Sequence, residues 1–193
     1  YDFLGLMTGS EGLLGVVTEV TVKILKTPEV IKAALIGFLS IEDAGNCVAQ
    51  IIAKGCIPAG MEIMDKALLK ATNDFCKAGY PTDAEAMMII EFDGSEFEVE
   101  SHIKTAEKIA QENNSSSIKT SKSNEERLKF WSGRKAAFPA CGDLAPDYMC
   151  MDGSIPRGKL AEVLKEINNL SKKYKLPVAN AFHAGDGNLH PLI

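Results

Sequence analysis

The chain has 193 residues, 46% of them hydrophobic and 24% charged, which is typical of a globular protein with one large or two small domains. Its net charge of −5 argues against nucleic acid or an anionic membrane surface as a partner. No apolar run reaches about 20 residues, which argues against a membrane span. The five cysteines are odd in number and form no C-x-x-C pair, which predicts reduced thiols and a cytoplasmic location.

The N-terminal segment combines a glycine-rich turn with a strand pattern. Gly9, Gly12 and Gly15 leave backbone amides open to a ligand, and such a turn before a strand can hold a phosphate. The β-branched residues of 16–24 predict that strand. The turn lacks the spacing of a Rossmann fingerprint and of a P-loop, so taken alone it is a weak indication of function.

Pro28 marks the predicted domain boundary, because proline cannot continue a central strand ladder. Strand and helix patterns then alternate, with strands predicted at 30–38, 58–64, 86–92, 118–120, 148–155 and 176–183, and helices at 40–54, 65–75, 95–112, 123–138 and 156–170. This order predicts an α+β domain over residues 28–193, built of ferredoxin-like split βαβ units, with a mostly antiparallel sheet and helices on one face. A doubly wound parallel sheet is the alternative.

The most concentrated chemistry lies in His183-Ala184-Gly185-Asp186-Gly187-Asn188-Leu189-His190-Pro191. Glycine, aspartate and asparagine between the two histidines favour a tight turn. The preceding apolar run predicts a strand that ends at His183, with His190 returning beside it. The turn would thus bring two imidazoles together as a metal site, and the alternative is a pair that only forms hydrogen bonds within the turn.

This stretch resembles the H-x-G-D-G-N-x-H motif of the FAD-dependent 2-hydroxyacid dehydrogenases, which are vanillyl-alcohol-oxidase-like flavoenzymes. The segment from Gly9 to Gly15 resembles the G-S-E-G-x-L-G loop that ends their FAD-binding domain, and the two motifs occur in the family's order. The resemblance implies that residues 1–27 end an FAD-binding domain and that residues 28–193 form the C-terminal substrate domain. The residues it places near FAD are Gly9, Ser10, Glu11, Gly12 and Gly15.

The same resemblance implies a divalent metal, Zn²⁺ or Mn²⁺, that His183 and His190 bind beside the substrate hydroxyl. In the family a glutamate further along the chain completes the ligand set, and none follows His190 here. We therefore expect an incomplete site, truncated at its C-terminal end, in a piece of a longer protein. On its own this piece is expected to be inactive and to lose FAD.

Trp131-Ser132-Gly133-Arg134 resembles the W-x-x-R segment that the family places beside the substrate carboxylate. The resemblance implies that Arg134 binds this carboxylate with its planar fork, whereas without it Arg134 is interpreted as a solvated helix residue. Residues 147–157 resemble the D-Y-x-C-M-D-G-x-I-P-R stretch of glycolate oxidase FAD-linked subunits. Cys150 stands where relatives that use dicarboxylic acids carry lysine, which favours glycolate or D-lactate.

The predicted function is FAD-dependent oxidation of a small 2-hydroxy acid to the 2-oxo acid, with His183, His190 and Arg134 as catalytic residues. Electron-acceptor subunits are expected partners, and they would hold the protein at the membrane periphery. Two other classes remain open at this point. One is a metal-dependent hydrolase, which needs a third ligand and a water-activating carboxylate within the chain, with Asp186 and Asp152 as candidates, and the other is a non-catalytic interaction subunit.

Overall fold

The computed structural model describes residues 1–193. The strands are β1 (Val30–Phe38), β2 (Gly60–Asp65), β3 (Ala86–Gly94), β4 (Ser115–Thr120), β5 (Gly153–Ser154), β6 (Ala179–His183) and β7 (Asn188–Leu192). The α-helices are α1 (Phe3–Met7), α2 (Ile41–Ala53), α3 (Lys66–Cys76), α4 (Glu96–Glu112), α5 (Asn124–Ala140) and α6 (Leu160–Tyr174). None of these helices combines the length and the apolar character that a membrane span requires.

The strands form one sheet of seven, in the order β4-β1-β3-β2-β6-β7-β5, and every neighbouring pair is antiparallel. Strands β1 to β4 with helices α2 and α4 have the βαββαβ order of a ferredoxin-like unit, with α3 inserted between β2 and β3. The predicted α+β class and antiparallel ferredoxin-like sheet are therefore confirmed. The doubly wound parallel alternative is wrong.

Helices cover both faces of the sheet, which corrects the prediction of helices on one face. Helices α2, α4 and α6 pack on one face, and α3 and α5 pack on the other. The reason lies in β3, where four consecutive side chains are fully buried: Met87, Met88, Ile89 and Ile90. Successive side chains of a strand point to opposite faces, so this run needs apolar cover on both sides. The surface that α3 and α5 cover is called the α3/α5 face below.

Two predicted strands are missing or shortened. Residues 16–24 form no strand and their apolar side chains are exposed, because no neighbouring strand accepts their backbone hydrogen bonds. The strand predicted at 148–155 contracts to β5 and an isolated bridge at Cys150. The Met151 amide donates to the Pro191 carbonyl, but Pro191 has no N–H to return, so the ladder is interrupted there.

Helix α5 is fixed on its face at a glycine. It starts at Ser123, whose side chain accepts a hydrogen bond from the Glu126 amide. The Tyr80 hydroxyl donates to the Phe130 carbonyl at 2.5 Å, and a Cβ on Gly133 would overlap the Tyr80 ring. Burial raises the pKa of Tyr80, so its hydroxyl stays a donor. This contact brings the next residue of the helix, Arg134, down onto the sheet.

Candidate functional site

The histidine motif folds as a β-hairpin. Strand β6 ends at His183 and β7 begins at Asn188, its register partner. The Asp186 carboxylate accepts a hydrogen bond from the Asn188 amide at 3.0 Å, which stabilises the turn. Gly187 has a φ of +82°, and a Cβ there would overlap the Ile155 carbonyl oxygen, so only glycine fits. The predicted strand, tight turn and returning strand are confirmed.

The two histidines are neighbours on the α3/α5 face. His190 is the register partner of Ala181, which points to the same face as His183 two residues later. The ring centroids of His183 and His190 lie 5.2 Å apart with an interplanar angle of 89°. The His183 side chain is half exposed, whereas that of His190 is largely buried. The hairpin therefore places both imidazoles where one ligand can reach them.

Glu62 joins His183 to Arg134. Strand β2 pairs with β6 so that Glu62 lies opposite His183, and the Glu62 Oε1 atom is 2.7 Å from His183 Nδ1. The other oxygen, Oε2, accepts a hydrogen bond from Arg134 Nε at 3.0 Å. From the sequence, Glu62 has no predicted role beyond a hydrogen bond at a strand end, although a carboxylate inside an apolar strand pattern is the signal that marks it as functional.

Arg134 is a buried residue, so its interpretation as a solvated helix residue is wrong. Its side chain is only 9% exposed, compared with 12% for Glu62, and a buried charge of this kind needs a partner. Arg134 donates a hydrogen bond within the chain only through Nε, and its Nη1 and Nη2 atoms make none. Two parallel donors thus remain for a carboxylate.

A second carboxylate on the same face anchors α5. Glu91 on β3 accepts hydrogen bonds from Arg127 Nη1 at 2.8 Å and from Trp131 Nε1 at 2.6 Å. The Trp131 ring packs over Gly60, where a Cβ would lie 3.1 Å from the ring. Trp131 is therefore a partly buried packing residue, and it fixes the helix one turn before Arg134.

Asp152 and Asn188 flank the second histidine. Asn188 Nδ2 donates to Asp152 Oδ1 at 2.9 Å, and the same oxygen lies 3.7 Å from His190 Nδ1. The Asn188 Oδ1 atom is buried and has no hydrogen-bond partner. An acceptor left in this state costs free energy unless a ligand or water donates to it.

An open cavity of about 340 Å³ lies beside His183. Polar groups from three parts of the chain line it, including Glu62, Arg157 and Asp186. Arg157 Nη1 donates to the Gly185 carbonyl at 3.2 Å, so this side chain braces the turn that carries the motif. A cavity of this volume accommodates a small organic acid.

The residues present suit a divalent metal in part. Both histidines turn Nδ1 toward a carboxylate, Glu62 for His183 and Asp152 for His190, and this leaves each Nε2 for ligation. No group of three His, Cys, Asp or Glu side chains converges on one point, so a further ligand would have to come from outside this set. The hydrolase interpretation needs a third ligand and a water-activating carboxylate within residues 1–193, and neither of the candidates, Asp152 and Asp186, completes such a group with the histidines.

The glycine-rich turn of the N-terminal segment stands apart from the hairpin. Gly9 and Gly12 have φ values of +78° and +79°, with no atom near the position of a Cβ, and Glu11 also has a positive φ, of 52°. Positive φ values at positions 9, 11 and 12 are typical of loops that expose backbone amides to an anion, which suits a cofactor phosphate. No hydrogen bond joins this turn to the histidine site.

Comparison with known proteins finds a matching family model and several similar proteins. A family model described as FAD linked oxidases, C-terminal domain, matches residues 27–193. The chain is 51% identical to the glycolate oxidase subunit GlcD of Escherichia coli strain K12, over 100% of this chain and 39% of that protein. It is 38% identical to GlcD of Bacillus subtilis, over 99% of this chain and 41% of the relative. It is 30% identical to the mitochondrial D-lactate dehydrogenase [cytochrome] of Arabidopsis thaliana, over 100% of this chain and 34% of that protein. The chain thus spans about two fifths of the length of these relatives.

Solved structures share the fold at low sequence identity. Alkyldihydroxyacetonephosphate synthase superimposes with a TM-score of 0.71 at 17% identity, over 100% of this chain and 40% of the synthase. p-Cresol methylhydroxylase gives a TM-score of 0.61 at 13% identity, over 86% and 38%. At these identities the likeness concerns the fold alone.

Proposed function

Since the chain belongs to the family of FAD linked oxidases, through their C-terminal domain, we propose that it is the substrate-binding part of a flavin-dependent 2-hydroxyacid oxidoreductase. Residues 28–193 form the substrate domain and residues 1–27 the end of the FAD-binding domain. One observation carries the proposal: Glu62 links Arg134 to His183, and His190 lies beside them. A buried cation and two imidazoles match the carboxylate and the hydroxyl of a 2-hydroxy acid.

Arg134 binds the substrate carboxylate. Its Nη1 and Nη2 atoms are free within the chain, and Glu62 holds the guanidinium from the Nε side. A guanidinium presents parallel donors that match the two oxygens of a carboxylate. Burial strengthens this contact, since water competes less for the pair. The carboxylate fixes the substrate at one end, so that the α-carbon and its hydroxyl have a defined place.

His183 and His190 serve the substrate hydroxyl. Their Nε2 atoms would hold a divalent metal, Zn²⁺ or Mn²⁺, and such an ion lowers the pKa of a bound hydroxyl as a Lewis acid. The two histidines orient the hydroxyl, while Glu62 and Asp152 orient the histidines. Asn188 Oδ1 can accept a hydrogen bond from the substrate hydroxyl, which would satisfy this buried acceptor.

The turn formed by Gly9, Ser10, Glu11, Gly12 and Gly15 approaches FAD through its exposed amides. When bound, FAD would supply the hydride acceptor that the oxidation of a 2-hydroxy acid to a 2-oxo acid needs, a change in which the substrate loses two electrons and two hydrogens. The chain itself contributes binding and orientation.

Glycolate or D-lactate is the proposed substrate. Relatives named as glycolate oxidase subunits and D-lactate dehydrogenases support this choice, as does Cys150 in place of a lysine. The name of the first relatives describes a subunit, which supports electron-acceptor subunits as partners. Cytoplasmic location and attachment to the membrane periphery through such partners stay predictions.

Flavin reduction in the holoenzyme tests the function. Under anaerobic conditions, glycolate or D-lactate should bleach the visible flavin band in a single turnover. A deuterium at the α-carbon should slow this bleaching, because its C–H bond breaks as hydride leaves. L-Lactate serves as the matched control. A flavin that neither acid reduces would contradict the proposal.

A further inference from the structure

The buried carboxylate of Glu62 has two partners with different chemistry. Arg134 lies at Oε2 and can only donate a hydrogen bond, whereas His183 Nδ1 lies at Oε1 and can either donate or accept. A carboxylate that is paired with a guanidinium is an acceptor at both oxygens. The Nδ1 atom of His183 must therefore carry a proton, and the Nε2 atom of a neutral ring is then unprotonated.

The backbone fixes this arrangement. Glu62 and His183 are register partners on the adjacent strands β2 and β6, and β2 is paired on its other side with β3. Helix α5, which covers this face of the sheet, brings Arg134 to the Oε2 atom of Glu62. Strand register and helix docking each constrain one end of the connection, and the Glu62 side chain, 12% exposed, has little freedom to turn away.

We propose that Glu62 is the positioning residue of the 2-hydroxy acid site. It fixes the Nδ1–H tautomer of His183, so that Nε2 offers its lone pair to the site, and it holds Arg134 for the substrate carboxylate. This inference rests on the function proposed above and adds a residue to it. In this role Glu62 acts through His183 and Arg134, the two side chains that are proposed to contact the substrate.

Substitution of Glu62 by glutamine separates the two tasks. An amide has one acceptor and one donor end. Because Arg134 can only donate, the glutamine oxygen must face Arg134 and its NH₂ group must face His183. The Nδ1 atom then has to accept, and the proton moves to Nε2. Glu62→Gln should thus keep Arg134 in place and invert the tautomer of His183.

The tautomer can be read without any turnover. The holoenzyme is labelled with ¹⁵N-histidine and treated with a chelator, and the His183 ring signals are assigned from their loss in His183→Gln. The unsubstituted protein should show a protonated Nδ1, and Glu62→Gln an unprotonated one. The matched control is Glu91→Gln on β3, another buried carboxylate with two donors, which should leave the His183 signals unchanged.

Kinetics give the second measurement. Glu62→Gln should lower kcat by about 10- to 100-fold, the usual effect of losing a residue that orients a ligand, with KM changed by less than about threefold. Glu62→Ala should raise KM as well, because Arg134 then loses its support. An Nε2–H tautomer in the unsubstituted protein, or an unchanged tautomer in Glu62→Gln, would overturn the inference. The tautomer does not depend on substrate, so the NMR measurement tests the role of Glu62 separately from flavin reduction by either acid.

Discussion

Arg134 on α5 reaches Glu62 on β2 across the α3/α5 face, with Nε 3.0 Å from Oε2 and both side chains about nine-tenths buried. The contact leaves the outer two nitrogens of the guanidinium unused. It converts a position that a helical pattern assigns to the surface into a buried cation that Glu62 joins to His183. A charge buried in this way is costly to misplace, so substitutions here should act on binding and on stability in separable ways.

Arg134→Lys should raise KM for the 2-hydroxy acid by about 10- to 100-fold, which corresponds to about 1–3 kcal/mol for the lost bidentate contact. A single ammonium cannot serve Glu62 and present two parallel donors to a carboxylate. Steady-state kinetics of the holoenzyme with glycolate and D-lactate measure the change. Arg127→Lys, on the same helix, is the control that should leave KM unchanged. Equal KM values in the Arg134 variant and the parent would place Arg134 outside the substrate site.

His183→Ala and His190→Ala should each abolish turnover while the flavin stays bound, because we propose that the two rings serve the substrate hydroxyl and not the cofactor. Metal content after dialysis should fall in both variants. Metal affinity of the parent should also decrease on acidification, since only a neutral imidazole ligates. His102→Ala, on α4, is the control for histidine removal. Near-normal turnover of either variant after chelator treatment would show that the two histidines only stabilise the turn.

Gly133→Ala should destabilise the protein by about 1–3 kcal/mol, because the added methyl overlaps the Tyr80 ring and pushes α5 off the sheet. Denaturant unfolding gives the free energy of unfolding. Gly142→Ala adds the same methyl where no atom lies within 4 Å and should change stability little. The prediction fails if the two alanine variants unfold at the same denaturant concentration.

Asp65 should make stability depend on pH. Burial raises the pKa of its carboxyl from 3.8 to about 6, against the hydrogen bonds from Leu68 and Asn180 that lower it. The folded state therefore binds this proton more tightly than the unfolded state. The contribution is fully present below about pH 4 and is lost as the pH rises through about 6, a change of about 3 kcal/mol.

Asp65→Asn removes this titration and keeps the N-cap of α3, since asparagine caps as well as aspartate. The free energy of unfolding of this variant should change less between pH 4 and pH 7 than that of the parent. Asp93→Asn, at the exposed end of β3, should behave as the parent does. A parent protein that gains stability from pH 4 to pH 7 while the Asp65 variant does not would reverse the expected sign.

Residues 1–193 alone should not retain FAD. The turn around Gly12 is exposed and no other part of the chain closes over it, so in the proposed function it would provide only one wall of the cofactor site. The purified chain should be colourless after gel filtration. Recovery of one flavin per chain would show that residues 1–193 suffice to bind the cofactor.

Local pattern was sufficient for much of this molecule. Capping residues such as Ser95 and Ser123 mark helix starts because their effect is confined to one turn of helix. The hairpin followed from glycine, aspartate and asparagine between two strands, and it alone determines that His183 and His190 are neighbours. The alternation of strands and helices could be predicted because its periodicity is regular, but that pattern left a parallel sheet open, and only strand pairing decided the antiparallel order.

Long-range pairing decided the rest. A strand exists only if another strand lies beside it, so the β-branched run of 16–24 stays unpaired despite its propensity. Arg134 has the pattern of a surface residue, and only the docking of α5 through Gly133 buries it. Glu62 and His183 are 121 residues apart in the chain, and no local rule joins them. The register of β2 against β6 brings them together. Burial of the Glu62 carboxylate is tolerated because the fold supplies its partners.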